Sequence, residues 1–192
     1  YCVGIDLGST TTKAIVVDAA GKVLGRGITN SRSNYDAACA VALAEALHDA
    51  RFAQIAGELA GRGIDPDRRA RWLRELERGF REQQYRGQLA QLARALEQAL
   101  DARGRTPPLA AALAEILAQL TAEPRTLFAA GASRKSDFFR DLAGSRFTEH
   151  AERQARARPE LSFDTLVGLF DKAILVVEAQ SSGVNAFAEH AT

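Results

Sequence analysis

The sequence predicts an α/β protein that begins with a three-stranded antiparallel sheet and continues as a long helical segment. Three apolar runs typical of strands occupy residues 2–29, and turn residues separate them. Beyond residue 36 the apolar positions recur at three- and four-residue spacing along most of the chain, as they do on one face of a helix. A chain of 192 residues has room for one domain, or for a small domain with an added helical layer.

The predicted strands are Cys2–Leu7, Ala14–Asp18 and Val23–Thr29. A short connection joins the second strand to the third, and its Gly21 can adopt a positive φ. These two strands are therefore predicted to form a hairpin.

A polar loop over Asn30–Asp36 is expected to lead into a helix over Ala37–Leu59. Asp65 is a suitable N-cap and Pro66 a suitable first residue for the next helix, which is long and highly charged. Apolar residues recur along that helix, so one face of it must be covered.

Further helices are expected in the second half of the chain. An Ala/Leu-rich helix over Leu109–Leu120 is predicted to stop at Pro124. Two short helices are expected over Phe138–Leu142 and Phe147–Arg156, followed by a final amphipathic helix over residues 162–180.

Composition excludes some classes of partner. With 25 basic and 24 acidic residues the formal net charge is +1, which gives no general attraction to nucleic acid or to an anionic membrane. No apolar run approaches the roughly 20 residues that span a bilayer. The chain also opens on a strand without a leader segment, so we expect a cytoplasmic protein.

The few cysteines and histidines suggest no metal centre. Cys2 and Cys39 have no metal-binding or disulfide spacing, and we expect both to be small buried residues. His48, His150 and His190 are scattered along the sequence, so we expect them at the surface.

The segment Gly4–Lys13 has the composition of a site for a nucleoside triphosphate with Mg²⁺. Asp6 would hold the metal directly or through water, because Mg²⁺ is commonly bound through one or two carboxylates plus phosphate oxygens. Gly8 lets the backbone approach a phosphate closely, and Lys13 adds positive charge. Amides and hydroxyls of the turn would donate to phosphate oxygens, and they belong to Ser9, Thr10, Thr11 and Thr12.

Two other phosphate motifs do not fit this segment. A P-loop needs two glycines that bracket four residues before Lys-Ser or Lys-Thr, and the chain has no such string. A dinucleotide fingerprint opens a helix, whereas this turn opens a second strand. The strand-turn-strand context is what distinguishes the motif.

The pattern Asp6-x-Gly8-x-Thr10-x-x-Lys13 resembles the first phosphate motif of the acetate kinase, sugar kinase, Hsp70 and actin superfamily. The fuller string Gly4–Lys13 is similar to that of the BadF/BadG/BcrA/BcrD-type ATPases. Ile28–Asp36 and Phe128–Leu142 resemble the larger ATPase subunit of benzoyl-CoA reductase.

This resemblance implies a partial ribonuclease H-like (actin-like ATPase) lobe with a large all-helical insertion. Residues 1–59 would begin the lobe, residues 60–160 would form the insertion, and residues 161–192 would return to the lobe as a C-terminal helix. Asp6 would then be the catalytic and metal-binding carboxylate, and Gly8 to Lys13 would bind the nucleotide.

The resemblance also implies a function, which is ATP hydrolysis coupled to low-potential electron transfer for the reduction of benzoyl-CoA. The partners would be other subunits of an acyl-CoA reductase complex and an electron donor such as ferredoxin. A [4Fe-4S] cluster would belong to the whole subunit or complex and would not be ligated by this chain. The second phosphate loop, the adenosine loop and the later cysteine pair of the superfamily are not found in this sequence.

Two alternatives stay open. A sugar or small-molecule kinase of the same superfamily would need a base aspartate, for which Asp137 is the one candidate. A helical module for subunit interaction, with a vestigial phosphate turn, would bind no nucleotide.

Overall fold

The computed structural model of the chain describes residues 1–31, 35–133, 136 and 138–180. Its contacts divide these residues into two units. The first unit contains Tyr1–Phe80 together with residues 178–180, and the second contains Arg81–Val177.

The first unit is built on a three-stranded antiparallel sheet in the order β1-β2-β3, as the sequence predicts. The strands are β1 Cys2–Leu7, β2 Thr11–Val17 and β3 Val23–Asn30. Both pairings are antiparallel, so β2 lies in the centre.

The predicted hairpin between β2 and β3 is confirmed. Its connection is held by Asp18, whose carboxylate accepts the amide hydrogens of Ala20 and Lys22 at 2.9 Å. Gly21 has a φ of 78°, in the left-handed region where glycine is favoured. An Asx-type turn therefore fixes the register of these two strands.

Helix α1 (Tyr35–Gly61) packs directly on the sheet, because β3 carries glycines on the face that it covers. A Cβ on Gly27 would lie 2.0 Å from the carbonyl oxygen of Ala42. A Cβ on Gly25 would lie 2.1 Å from the carbonyl oxygen of Ala46. Neither position can accept a side chain while α1 keeps its place.

Helix α2 (Pro66–Arg103) begins as predicted. The Asp65 carboxylate accepts the amide hydrogens of Asp67 and Arg68 at 3.1 and 3.0 Å, so it is the N-cap. Farther along, the buried Phe80 ring contacts the rings of His48 and Phe52 on α1, with centroids 5.0 and 5.6 Å apart.

The contact between α1 and α2 places the border between the two units at Phe80 and Arg81, whereas the sequence predicts a boundary between residues 59 and 60. The first turns of α2 pack with the sheet unit because Phe80 faces α1. Whether residues 60–160 are an insertion into a larger lobe stays a prediction.

The second unit is entirely helical in its described residues. It contains α2 from Arg81, α3 (Pro107–Ala122), α4 (Pro124–Leu127), α5 (Phe139–Ala157) and α6 (Phe163–Gln180) as far as Val177. The largest fully buried side chains of its core are Phe147, Leu92, Leu96, Ile116, Leu120, Leu166, Ile174 and Val177.

The helices of this unit differ from the expectation at one place. The predicted short helices over Phe138–Leu142 and Phe147–Arg156 are one helix, α5, because the residues between them continue the helical period. The apolar face of α6, including Leu166 and Ile174, packs in the helical core, while its last residues, from Glu178, group with the sheet unit. Whether α6 returns to a larger lobe stays a prediction.

The histidines and cysteines are placed differently from the sequence expectation. His48 and His150 are buried rather than exposed. His48 packs on a phenylalanine ring, and His150 Nε2 lies 3.0 Å from the carboxylate of Glu123. Cys2 is exposed and Cys39 is half-buried, while His190 lies outside the described residues.

Among the helices that the structure describes, none combines the length and the apolar character that a bilayer crossing requires.

Candidate phosphate-binding turn

The turn between β1 and β2 is tight and directs small polar side chains outward. The amide of Gly8 donates to the carbonyl of Thr11 at 3.2 Å, which closes the turn across Ser9 and Thr10. Ser9 and Thr10 are exposed, and Thr11 is half-buried at the start of β2. The segment therefore offers hydroxyl donors to solvent where one strand ends and the next begins.

Gly8 is required by the closeness of this turn. A Cβ built on Gly8 would lie 2.7 Å from the Thr11 carbonyl oxygen, closer than real Cβ contacts. Any other residue would displace the backbone that closes the turn.

Asp6 and Lys13 lie directly opposite each other on β1 and β2. Residues so paired share one face of a sheet, with Cβ atoms about 5 Å apart. Both side chains are exposed, and both lie on the face away from α1. The carboxylate and the ammonium group thus flank the turn on its solvent side.

Thr12 differs from the expectation that its hydroxyl faces a phosphate. Its side chain is 0% exposed, in phase with Ala14 and Val16 on the face that α1 covers. Its Oγ1 lies 2.9 Å from Oγ of Ser31. Strand alternation places this hydroxyl inside the unit, behind the turn.

Ser31 is the residue of this site that sequence reasoning missed. It follows β3 directly and is 0% exposed. Its amide donates to the Thr10 carbonyl at 2.9 Å, and its hydroxyl donates to the Gly8 carbonyl. In the sequence it belongs to a polar loop typical of a helix cap, and nothing local separates it from its neighbours.

The sheet leaves apolar surface uncovered. Val3, Ile5 and Leu7 of β1 are 49%, 43% and 50% exposed, and Ile15 and Ile28 are exposed on the face away from α1. No described strand pairs with the outer edge of β1. Exposed apolar edge strands are sites where further chain adds to a sheet.

The donor set around the turn fits part of a magnesium-nucleotide site. The described residues contain no group of three or more His, Cys, Asp or Glu that could hold a metal alone. A single exposed carboxylate, Asp6, suits Mg²⁺, which takes its remaining ligands from phosphate and water. Asp137, the candidate base for the kinase alternative, lies outside the described residues.

The helical unit contains a small pocket beside Tyr85. Burial raises the pKa of the Tyr85 hydroxyl to about 12, and the nearby Glu123 carboxylate acts in the same direction. The pocket has a free volume of about 10 Å³, which is the space of one water molecule. Its lining comes from Arg81, Gln84, Tyr85, Gln88, Phe128 and Phe139.

Comparison with known proteins identifies the family. No curated protein and no solved structure matches the chain. The model of the BadF/BadG/BcrA/BcrD ATPase family matches residues 3–120, which include the sheet, the turn, α1 and α2 and make up more than half of the 192 residues. The chain therefore belongs to the BadF/BadG/BcrA/BcrD ATPase family.

Proposed function

We propose that the turn between β1 and β2 binds the phosphates of Mg-ATP, and that the protein hydrolyses this ATP. One observation carries the proposal. The turn presents the hydroxyls of Ser9 and Thr10 to solvent, between an exposed carboxylate at Asp6 and an exposed ammonium group at Lys13. Membership of an ATPase family makes ATP with Mg²⁺ the ligand to be expected at these groups.

Each group has a distinct part in the proposed site. Backbone amides and hydroxyls of Ser9, Thr10 and Thr11 would donate to phosphate oxygens, as in other anion-binding turns. Lys13 would add attraction to the triphosphate, and Asp6 would hold Mg²⁺ directly or through water. When bound, the metal would neutralise the phosphate charge that develops as the terminal bond breaks.

The turn is half of a nucleotide site in this proposal. The uncovered apolar residues of β1, with Ile15 and Ile28, support a larger ribonuclease H-like lobe in which more strands and another helix cover the sheet. A second lobe would supply the other phosphate loop and the adenosine contacts. The helical unit would then be an insertion that docks a neighbouring subunit.

We further propose that the whole subunit couples hydrolysis to low-potential electron transfer for the reduction of an aromatic acyl-CoA such as benzoyl-CoA. The support is the likeness of Ile28–Asp36 and Phe128–Leu142 to the larger ATPase subunit of benzoyl-CoA reductase. Its partners would be the other reductase subunits and a donor of the ferredoxin type, with a [4Fe-4S] cluster supplied by the rest of the subunit or complex.

Calorimetric titration of Mg-ATP into the wild type and the Asp6→Asn variant tests the site. Loss of the carboxylate is expected to weaken binding about tenfold or more, since a charge-assisted contact to the metal is removed. Asp171→Asn is the matched control, because Asp171 is exposed on α6 in the other unit. Equal affinity in all three proteins would contradict the proposed site.

Turnover assays separate the finer alternatives. Release of phosphate without transfer to a hydroxyl acceptor, and dependence of acyl-CoA reduction on ATP in the assembled complex, would support the proposed coupling. Phosphorylation of a sugar or another small alcohol would instead favour a kinase. If the chain binds no nucleotide but still binds a partner subunit, the result would favour the alternative of a helical module for subunit interaction.

A further inference from the structure

We propose that Ser31 is a positioning residue that holds the phosphate turn in its binding shape through a relay of two buried hydroxyls. The proposal rests on the assignment of Asp6–Lys13 as the phosphate site. It assigns a role to a residue that neither the turn motif nor the family match specifies.

The relay has a definite direction. The hydroxyl of Ser31 donates to the Gly8 carbonyl. A hydroxyl has one hydrogen to donate, so Thr12 Oγ1 must be the donor in its 2.9 Å hydrogen bond to Ser31 Oγ. The order of donation is therefore Thr12 to Ser31 to Gly8.

Ser31 fixes two carbonyls of the turn at once. Besides the bond to Gly8, its amide donates to the Thr10 carbonyl at 2.9 Å. The carbonyl oxygens of Gly8 and Thr10 are therefore directed toward Ser31, which is buried. This matters because a carbonyl oxygen directed toward the ligand would repel phosphate, whereas amides and hydroxyls attract it.

Burial makes the relay costly to break. Thr12 and Ser31 are both 0% exposed, so water cannot replace a lost partner without rearrangement. Replacing Ser31 by alanine would leave the Gly8 carbonyl without its hydroxyl donor and the Thr12 hydroxyl without its acceptor.

Three variants of the full chain test the proposal, by calorimetric titration with Mg-ATP at a temperature where all are folded. Ser31→Ala is expected to bind Mg-ATP about tenfold more weakly, since a buried acceptor loses its partner and the turn relaxes. Thr12→Val keeps the bond from Ser31 to Gly8 and is expected to weaken binding only about twofold. Val16→Ala is the control, because it removes buried volume from the same strand without touching the turn.

Val16→Ala separates positioning from general destabilisation. We expect it to lower stability yet bind Mg-ATP as the wild type does. Equal weakening in Val16→Ala and Ser31→Ala, or wild-type affinity in Ser31→Ala, would overturn the proposal.

Amide hydrogen exchange without nucleotide gives an independent readout. The amides of Gly8 and of residue 31 are protected by hydrogen bonds in the wild type, and their protection should fall about tenfold in Ser31→Ala. Unchanged protection would overturn the relay whatever the affinity. A wild type that binds no Mg-ATP would overturn the proposed function, and exchange alone would then decide whether Ser31 holds the turn.

Discussion

At the scale of single residues, the closure of the turn depends on a missing side chain. Gly8→Ala places a Cβ against the Thr11 carbonyl oxygen, so the backbone must move. We expect Mg-ATP binding to weaken about tenfold or more, because the donors of the turn lose their common direction. Calorimetric titration measures this effect.

The control for Gly8→Ala is Gly57→Ala. Gly57 lies in α1 with open space where a Cβ would be, and alanine favours the helix there. Gly57→Ala should therefore bind Mg-ATP unchanged and be slightly more stable. Unchanged binding by Gly8→Ala would show that the turn tolerates the added group.

Tyr85 gives a prediction about pH. Its pKa is about 12 in the folded chain against 10.0 as the ordinary value, so between these pH values the unfolded state gives up the proton and the folded state keeps it. Stability is therefore full below pH 10 and falls as pH rises toward 12, by roughly 3 kcal/mol at most. Urea denaturation at pH 7 and pH 11 measures the loss.

Tyr85→Phe should remove this loss. The Tyr85 hydroxyl has no hydrogen-bond partner among the described residues, while the ring packs against Phe128 and Phe139. Phenylalanine keeps those ring contacts, so at pH 7 we expect unchanged stability or a gain of up to about 1 kcal/mol. A variant that is less stable at pH 7 would show that the hydroxyl is bonded in solution.

Some residues of the site were accessible to sequence reasoning and others were not. Asp6 and Gly8 can be identified from the sequence, because a carboxylate and a glycine at this spacing after an apolar strand are typical of a phosphate-binding turn. The composition of the turn predicts a phosphate contact for Thr12, although its alternation with Ala14 and Val16 indicates an inward side chain. Ser31 could not be found, because its partners lie 19 and 23 residues away in the chain.

At the scale of elements, the fit of α1 on β3 is set by backbone rather than by large side chains. Gly27→Ala would place a Cβ 2.0 Å from the Ala42 carbonyl oxygen, so α1 must move away from the sheet. We expect a loss of about 3 kcal/mol in the free energy of unfolding, at the upper end of overpacking effects. Urea denaturation followed by circular dichroism measures it.

Gly79→Ala is the matched control for this change. Gly79 lies in α2 and has open space around a built Cβ, so the substitution should leave stability unchanged or raise it slightly. If Gly27→Ala proved as stable as Gly79→Ala, the close packing of α1 on β3 would be contradicted.

The elements themselves were well predicted where local chemistry decides them. Gly21 and Asp18 specify the hairpin, and Asp65 with Pro66 specifies the start of α2. The predicted stop at Pro124 is confirmed, because α3 ends at Ala122, and Pro124 also begins the short helix α4, since proline suits the first residue of a helix. The sequence predicts His48 at the surface, whereas the structure buries it. Local sequence does not show this burial, because it depends on contact with Phe80 in another helix.

At the scale of the whole molecule, the uncovered β1 edge gives a prediction about association. Val3, Ile5 and Leu7 are exposed, and among the described residues no strand pairs with the outer edge of β1, so the chain alone should self-associate as its concentration rises. Val3→Lys should shift the chain toward the monomer, because a charge on an edge strand opposes strand addition. Light scattering after size-exclusion chromatography measures the mass.

Leu175→Lys controls for the general effect of an added lysine. Leu175 is as exposed as the β1 residues but lies on α6, where no sheet edge is present. We expect this variant to associate as the wild type does. A monomeric wild type, or equal effects of the two lysines, would contradict a role for the β1 edge.

The glycines of β3 also bear on how this unit can move. Gly27 faces Ala42 and Ala46, and Gly25 faces Ala46 and Ala50. A step of two residues along the strand therefore corresponds to a step of four residues along the helix. Two strand residues advance about 6.6 Å and four helical residues about 6.0 Å, so the two repeats nearly coincide. The α1 backbone therefore meets a glycine of β3 at each helical repeat. A shift of α1 along β3 by less than one repeat would bring the backbone of the helix against the backbone of the strand. We therefore expect that any movement of the sheet during nucleotide hydrolysis moves α1 with it as one rigid body.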